Sequence, residues 1–113
     1  MNRPWLILPL TLLLGASAAL AQQRPPQSVE VLATRSGCFQ CHAADKNKVG
    51  PSLREIAARY KGDPAARASL TAVVKNGGKG KWTNITGGVP MPAYAQRLSP
   101  SDIAQLVTWV LGR

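Results

Sequence analysis

The chain has 113 residues, a length that fits one domain, and it carries 14 Lys and Arg against five Asp and Glu, a net charge of +9. Its two cysteines and single histidine are too few for the four ligands that a structural zinc site needs. Beyond residue 21, no stretch is long and apolar enough to cross a membrane.

The N-terminus has the three parts of a secretory signal peptide. Arg3 supplies a positive start, residues 5–14 form a short apolar run, and residues 19–21 read Ala-Leu-Ala, a cleavage site of small residues. An uncleaved membrane anchor is the alternative interpretation. The run barely reaches spanning length and is interrupted by Pro9, so a cleaved signal fits better.

These features divide the chain into three parts. We expect residues 1–21 to be removed during export, residues 22–27 to form a flexible lead-in, and residues 28–113 to form the folded domain. Loss of Arg3 leaves 13 basic and five acidic residues, a net charge of +8. A domain this small buries a modest core and often needs a metal, a disulfide or a cofactor to stabilise it.

Two helices are predicted in the first half of the domain. Ser28 is suited to be the N-cap of a short helix that ends at Gly37, directly before the motif CFQCH at residues 38–42. A basic loop follows. The second helix is predicted over about residues 52–60, because apolar residues recur there at positions i, i+3, i+4 and i+7.

Two more helices are predicted on either side of a long loop. Asp63-Pro64 has the residue types of an N-cap and a first helical position, and the third helix should end at the Asn-Gly-Gly of residues 76–78. Residues 79–98 are rich in Gly and Pro and show no period, which predicts a loop. The last helix begins at a capping box at Ser99 and has an apolar face up to Leu111. The sequence therefore predicts an all-α domain of about four short helices.

The two cysteines and the histidine lie together as Cys38, Cys41 and His42. Cys-x-x-Cys-His is the attachment signature of c-type haem. Two thiols one helical turn apart can form thioethers with both vinyl groups of the porphyrin, and the histidine that follows then lies under the ring. We predict one covalently bound haem c, attached through Cys38 and Cys41, with His42 as an iron ligand.

Other uses of this motif fit less well. A redox-active Cys-x-x-Cys belongs beside a βαβ pattern, which the helical pattern does not contain. A disulfide between Cys38 and Cys41 would close a very short loop and would leave His42 without a role. A chance occurrence is the remaining alternative, because two of the five positions are free.

Met91 is predicted by elimination to be the second axial ligand. The chain has no second histidine, both cysteines are used, and Met1 leaves with the signal peptide. Met91 lies between Pro90 and Pro92 in a stiff loop, whereas a methionine that fills the core would lie on an apolar helix face. A methionine ligand raises the reduction potential compared with histidine.

Two further residues are assigned to the same site. A carbonyl of the Gly50-Pro51 segment is expected to accept a hydrogen bond from the other ring nitrogen of His42 and so to fix its tautomer. Trp82 is expected to line the haem and to donate its indole N–H to a propionate, with a place in the core as the alternative. Trp109, on the last helix, is expected to be structural.

These residues together resemble the class I c-type cytochromes, in particular the short monohaem bacterial group. The resemblance extends from about Ser28 to Leu111 and is carried by GCFQCHAAD, KVGPSLREIA, VVKNGGKGKW, VPMPAY and LVTWVLGR. It implies a cytochrome c fold, with crossing first and last helices around a haem that has one exposed edge. It also implies the axial ligands and the roles of Pro51 and Trp82 given above.

The chain departs from this family pattern at two positions. Ala33 stands where many members have an aromatic residue in the first helix. Tyr94 stands where this subgroup often has an asparagine that helps to orient the methionine. The methionine-orienting role of the asparagine is therefore not carried over to Tyr94.

The positive charge predicts acidic redox proteins as partners. We expect lysines near the haem motif and the methionine loop to surround the exposed haem edge and to steer docking; they are Lys46, Lys48, Lys75, Lys79 and Lys81. Nucleic acid is the other partner of basic chains. It is not expected, because the chain is exported and has no interleaved basic and aromatic residues.

The sequence thus predicts a soluble, monomeric electron carrier of the periplasm, without stable membrane insertion after signal cleavage and without enzymatic activity. One alternative is a haem c subunit of a periplasmic dehydrogenase complex. The other is a ligand-binding or peroxidase-like haem protein, which requires that Met91 is not bound to iron.

Overall fold

Helices account for the regular structure of residues 27–113, the part of the chain that a computed structural model describes. The predicted signal peptide, residues 1–21, and residues 22–26 of the predicted lead-in lie outside the described residues. Within them, extended pairing is limited to one antiparallel bridge between Gly78 and Met91. The elements are α1 (Val29–Arg35), a 3₁₀-helix (Cys38–Gln40), α2 (Leu53–Arg59), α3 (Ala66–Asn76), α4 (Thr83–Thr86) and α5 (Pro100–Leu111). The prediction of an all-α fold is confirmed.

Three of the helices begin after a serine whose hydroxyl caps the helix. Ser28, Ser52 and Ser99 accept hydrogen bonds from the backbone N–H three residues later, at 3.3, 3.0 and 3.0 Å. Each hydroxyl satisfies one of the N–H groups that a helix start leaves without a partner. α1, α2 and α5 accordingly begin within one residue of their predicted starts.

The other two helices differ from the prediction. The Asp63 carboxylate accepts a hydrogen bond from Ala65 N at 2.8 Å, which forms a turn, and α3 begins only at Ala66. The predicted loop of residues 79–98 contains the short helix α4, so the described residues hold one α-helix more than the four expected. A single turn of Thr, Asn, Ile and Thr has no apolar period that the sequence could reveal.

The core is built around α5, which packs against α1, α2 and α3. Ile103 and Val107 of α5 are each 1% exposed and pack in one apolar cluster with Leu53, Ile56 and Leu70. Burial of each such side chain contributes about 1.5–3 kcal/mol.

A second cluster joins α1 to α5 and bears out the implied contact between the first and last helices. It consists of Leu32, Ala33 and Leu106, and Ala33 is fully buried in it. Trp109 packs against both clusters, which fits its expected structural role. None of the helices between residues 27 and 113 has the length and apolar character needed to cross a bilayer.

Candidate functional site

One cavity of about 480 Å³ contains every site residue that the sequence predicts. Its volume lies in the range of about 300–1,000 Å³ that small-molecule and cofactor pockets occupy. Apolar side chains from α2, α3 and α5 form much of its wall, among them Ile56, Leu70 and Val107. The predicted residues that line it are Cys38, Cys41, His42, Pro51, Trp82 and Met91.

The two cysteines lie on one turn of the 3₁₀-helix and its end. Cys41 N and His42 N both donate to the Cys38 carbonyl, at 3.3 and 3.0 Å. Residues three apart eclipse one another in a 3₁₀-helix, so both thiols face the same cavity. The two cysteines are free thiols, and burial raises the pKa of the Cys38 thiol. The pair is therefore placed to be alkylated from one side by a single planar group.

The ring of His42 is held in one tautomer by Pro51. His42 Nδ1 lies 2.7 Å from the Pro51 carbonyl oxygen. Because a carbonyl only accepts hydrogen bonds, Nδ1 carries a proton, and in the neutral ring Nε2 then keeps its lone pair. A neutral imidazole with a free Nε2 is the form that binds a metal.

Gly50 leaves the space that this ring occupies. A Cβ on Gly50 would lie 2.8 Å from His42 Cε1 and 3.1 Å from Nδ1, which is inside van der Waals contact. Gly50 N also donates to the Cys41 carbonyl at 2.8 Å, so the loop is tied to the cysteine motif. Gly50 thus leaves room for the imidazole ring, and the Pro51 carbonyl determines which ring nitrogen carries the proton.

Met91 is held through its backbone by the end of α3. Gly78 N donates to Met91 O, and Met91 N donates to Gly78 O, both at 2.9 Å. Gly77, the residue before Gly78, has φ +68°. A Cβ added to Gly77 would lie 2.8 Å from Ala93 N and closer still to Met91 O. The Met91 side chain is half-buried at the cavity wall. A thioether is therefore presented from a rigid backbone position.

Trp82 lines the cavity and also packs against the main apolar cluster. The Arg59 guanidinium lies 4.5 Å from the Trp82 ring centroid and donates to the Lys81 carbonyl at 3.1 Å. A cation over the ring face restrains the indole. Its N–H makes no hydrogen bond to any residue between 27 and 113.

The edge of the cavity is basic. Four cationic residues line it, and no Asp or Glu does so within the described part of the chain; we call these four residues the basic rim: Arg35, Lys79, Lys81 and Arg97. Val49 and Val89 also line the cavity and are 43% and 52% exposed. The cavity therefore opens to solvent beside apolar side chains and positive charge.

The basic rim differs in part from the expected lysine set. Lys79 and Lys81 belong to it, whereas Lys46 and Lys75 are exposed but do not line the cavity. Lys48 Nζ donates to the Phe39 carbonyl at 2.9 Å. Sequence reasoning missed Arg35 and Arg97, although Arg35 lies three residues before Cys38 and Arg97 six residues after Met91.

Tyr94, one of the two departures from the family pattern, is also a cavity residue. It is 6% exposed and lines the cavity three residues after Met91. The signal in the sequence was that Tyr94 stands where the subgroup often has an asparagine that helps to orient the methionine.

The residues present fit a covalent haem. Two thiols, an imidazole with a free Nε2 and a thioether line one largely apolar cavity of cofactor size. No group of three or more His, Cys, Asp or Glu side chains that could hold a metal ion occurs among residues 27–113. A porphyrin would bring its own nitrogen ligands for iron.

Comparison with known proteins gives a consistent result. The family model for cytochrome c matches residues 29–113. Cytochrome c-551 of Allochromatium vinosum is 48% identical over 82 residues, which cover 73% of this chain and 82% of that protein. Cytochrome c-551 of Pseudomonas aeruginosa is 38% identical over 101 residues, which cover 89% and 91%.

Solved structures agree. Wild-type cytochrome c552 of Nitrosomonas europaea superposes with a TM-score of 0.65 at 34% identity, over 74% of this chain and 96% of that one. A class 1 cytochrome from Sideroxydans lithotrophicus gives a TM-score of 0.64 at 35% identity, over 74% and 90%.

Proposed function

Because this chain belongs to the cytochrome c family and carries one covalently attached haem c, we propose that it is a periplasmic one-electron carrier with His42 and Met91 as axial ligands. The observation that carries the proposal is that one cavity contains both thiols, the imidazole with a free Nε2 and the thioether. Related cytochromes support electron transport as the general function.

The bound haem supplies a one-electron exchange between Fe(III) and Fe(II). The residues of the chain prepare that exchange. The Pro51 carbonyl orients the His42 ring and increases its basicity, and the Gly78 backbone fixes the loop that presents Met91. Ligands held this firmly would move little between the two oxidation states, which suits a carrier.

Trp82 is proposed to donate its indole N–H to a haem propionate. Support comes from the position of the ring at the cavity wall, the absence of another acceptor for this N–H among residues 27–113, and the stacked Arg59. A positive charge next to the ring would also favour an ionised propionate.

Export to the periplasm is supported by the sequence of residues 1–21, with its positive start, apolar run and small-residue site. In that compartment the partners would be acidic redox proteins, and the chain would not act on a small-molecule substrate. A fixed place in a dehydrogenase complex is the alternative, and co-purification at moderate salt would favour it.

An absorption spectrum of the protein purified from the periplasm tests the proposal. We expect low-spin haem c bands in both oxidation states and the weak near-infrared sulfur-to-iron band in the oxidised form. The reduced form should not bind carbon monoxide, because both axial positions are filled. A high-spin spectrum with rapid carbon monoxide binding would instead favour the ligand-binding or peroxidase-like alternative.

The basic rim is proposed to be the docking surface for acidic redox partners. Its four residues are exposed and line the cavity, and Val49 and Val89 add exposed apolar area to the same cavity. Charges around the docking surface increase the rate of encounter and are screened by salt.

Oxidation of the ferrous protein by ferricyanide, an anionic probe, tests this surface. We expect the rate to fall as ionic strength rises, and Lys79→Gln to slow oxidation roughly two- to threefold at low salt. Lys61→Gln is the control, since Lys61 is exposed, does not line the cavity and removes the same charge. Equal losses in both variants would mean that net charge, and not the basic rim, attracts the probe.

A further inference from the structure

The peptide group between Pro51 and Ser52 takes part in a hydrogen bond at each of its two polar ends. Its carbonyl oxygen lies 2.7 Å from His42 Nδ1, and its N–H donates to Asn47 Oδ1 at 2.8 Å. The peptide is trans, so its C=O and N–H point in opposite directions. Asn47 and His42 are therefore linked through a single peptide group. The proposed function uses the bond to His42 and gives Asn47 no role.

The N–H group of Ser52 needs the acceptor that Asn47 supplies. Ser52 is 5% exposed, and its hydroxyl is already used to accept a hydrogen bond from Glu55 N at 3.0 Å. A buried N–H without an acceptor costs about 1–3 kcal/mol. Within residues 27–113, the acceptor of this N–H is the side-chain oxygen of Asn47.

The loop that carries Asn47 is bonded to the elements on both sides of it. Two backbone N–H groups at the start of α2 donate to the carbonyls of Ala43 and Ala44, at 2.9 and 3.1 Å. At the other end of the loop, Gly50 N donates to the Cys41 carbonyl at 2.8 Å. The backbone of the loop is thus fixed by bonds that do not involve the Asn47 side chain. A change of that side chain should leave the path of the loop intact.

Hydrogen bonds at the two ends of one peptide group polarise each other. When Ser52 N–H donates to Asn47, electron density moves towards the Pro51 oxygen, which becomes a better acceptor for His42 Nδ1–H. Such cooperativity strengthens each bond by roughly 10–30%. A stronger hydrogen bond at Nδ1 makes the imidazole more basic at Nε2. The effect of Asn47 therefore reaches the lone pair that is predicted to bind iron.

We propose that Asn47 is a positioning residue for His42, which acts through the Pro51–Ser52 peptide and makes the imidazole a stronger donor to iron. The inference rests on the proposed ligation by His42. A more basic imidazole favours Fe(III) over Fe(II), so Asn47 lowers the reduction potential and opposes the effect of the Met91 thioether. Because the Asn47 side chain is neutral, it acts through its hydrogen bond and not through a charge.

The test is Asn47→Leu, which keeps the approximate size and branching of the side chain and removes the acceptor. We expect the midpoint potential to rise, with Fe(II) favoured by up to about threefold, which corresponds to about 28 mV for one electron. In the proton NMR spectrum of the reduced protein, the His42 Nδ1–H resonance should move upfield, because a weaker hydrogen bond deshields the proton less. A loss of stability alone would not move this resonance.

Asn84→Leu is the matched control. Asn84 is exposed and, like Asn47, does not line the cavity. We expect this variant to keep the wild-type potential and the wild-type His42 resonance. Equal changes in the two leucine variants would overturn the proposal, since they would report only the effect of an exposed apolar side chain.

Asn47→Asp is the conservative variant, because it keeps an acceptor oxygen at the same place. A charged acceptor forms a stronger hydrogen bond than a neutral one. The Nδ1–H resonance of this variant should therefore lie at least as far downfield as in the wild-type protein. A resonance that moves upfield as far as in Asn47→Leu would contradict the role of the acceptor.

Two further outcomes separate this inference from the proposed ligation. A potential and a His42 resonance that Asn47→Leu leaves unchanged overturn the role of Asn47 alone. A wild-type reduced protein whose His42 ring protons lack the large ring-current shift of a haem ligand overturns ligation by His42, and the role of Asn47 with it.

Discussion

Replacement of Met91 by alanine should lower the reduction potential by on the order of 0.1 V or more, because axial ligands set haem potentials over a range of about 0.8 V. The thioether favours ferrous iron, and alanine offers no ligand atom. Water or another weak ligand would then bind the ferric iron more strongly than the ferrous iron.

The same replacement should change the spectrum and the reactivity of the protein. We expect the near-infrared band to disappear and the reduced form to bind carbon monoxide, while the attached haem is retained. The absorption spectrum and a redox titration measure both effects.

Val89→Ala is the control for this prediction. Val89 belongs to the same loop, lines the same cavity and is 52% exposed, so its replacement removes side-chain volume without removing a ligand. It should keep the band and the potential. Survival of the band in Met91→Ala would show that another group binds iron.

Replacement of Gly77 by alanine should disturb the same ligand from the backbone side. The added Cβ would collide with the backbone of the methionine loop, 2.8 Å from Ala93 N and closer to Met91 O. Gly77 also has φ +68° and ψ −160°, a backbone region that is essentially restricted to glycine and costs another residue about 1–3 kcal/mol. Since the loop must move away from α3, the paired hydrogen bonds between Gly78 and Met91 should weaken as well.

The expected loss of stability is about 2–4 kcal/mol, the sum of the backbone strain and of the weakened hydrogen bonds. Denaturant unfolding of the oxidised protein measures this loss, and the near-infrared band should weaken in parallel. Gly62→Ala is the control, because Gly62 has φ +77° and no atom lies within 4 Å of its added Cβ. It should lose only about 1 kcal/mol and keep the band. Equal losses of stability in the two variants, with the near-infrared band intact in both, would show that the contact of Gly77 with the methionine loop does not matter.

The helix predictions were correct where short-range interactions along the chain determine the structure. Serine caps mark the starts of α1 and α5, and the apolar period of α5 predicts the face that is buried at Ile103 and Val107. The short helix α4 was missed because one turn has no period. The start of α3 was placed too early, because Asp63 caps a turn that precedes the helix.

The cofactor could be inferred from the sequence because its attachment chemistry is local. Two thiols one turn apart, followed by a histidine, are a covalent motif, so Cys38, Cys41 and His42 can be identified without knowledge of the fold. The chain also holds a single methionine after residue 21, which made Met91 the candidate for the other axial position.

Tertiary structure decided what surrounds those atoms. The stacking of Arg59 on Trp82 and the contact of Gly77 with the methionine loop both depend on segments that are distant in sequence. Covalent and capping patterns act over three or four residues, so the sequence alone determined the starts of α1, α2 and α5 and the haem attachment motif. Packing acts across the whole chain, so only the folded structure decided which backbone restrains Met91 and which charges line the cavity.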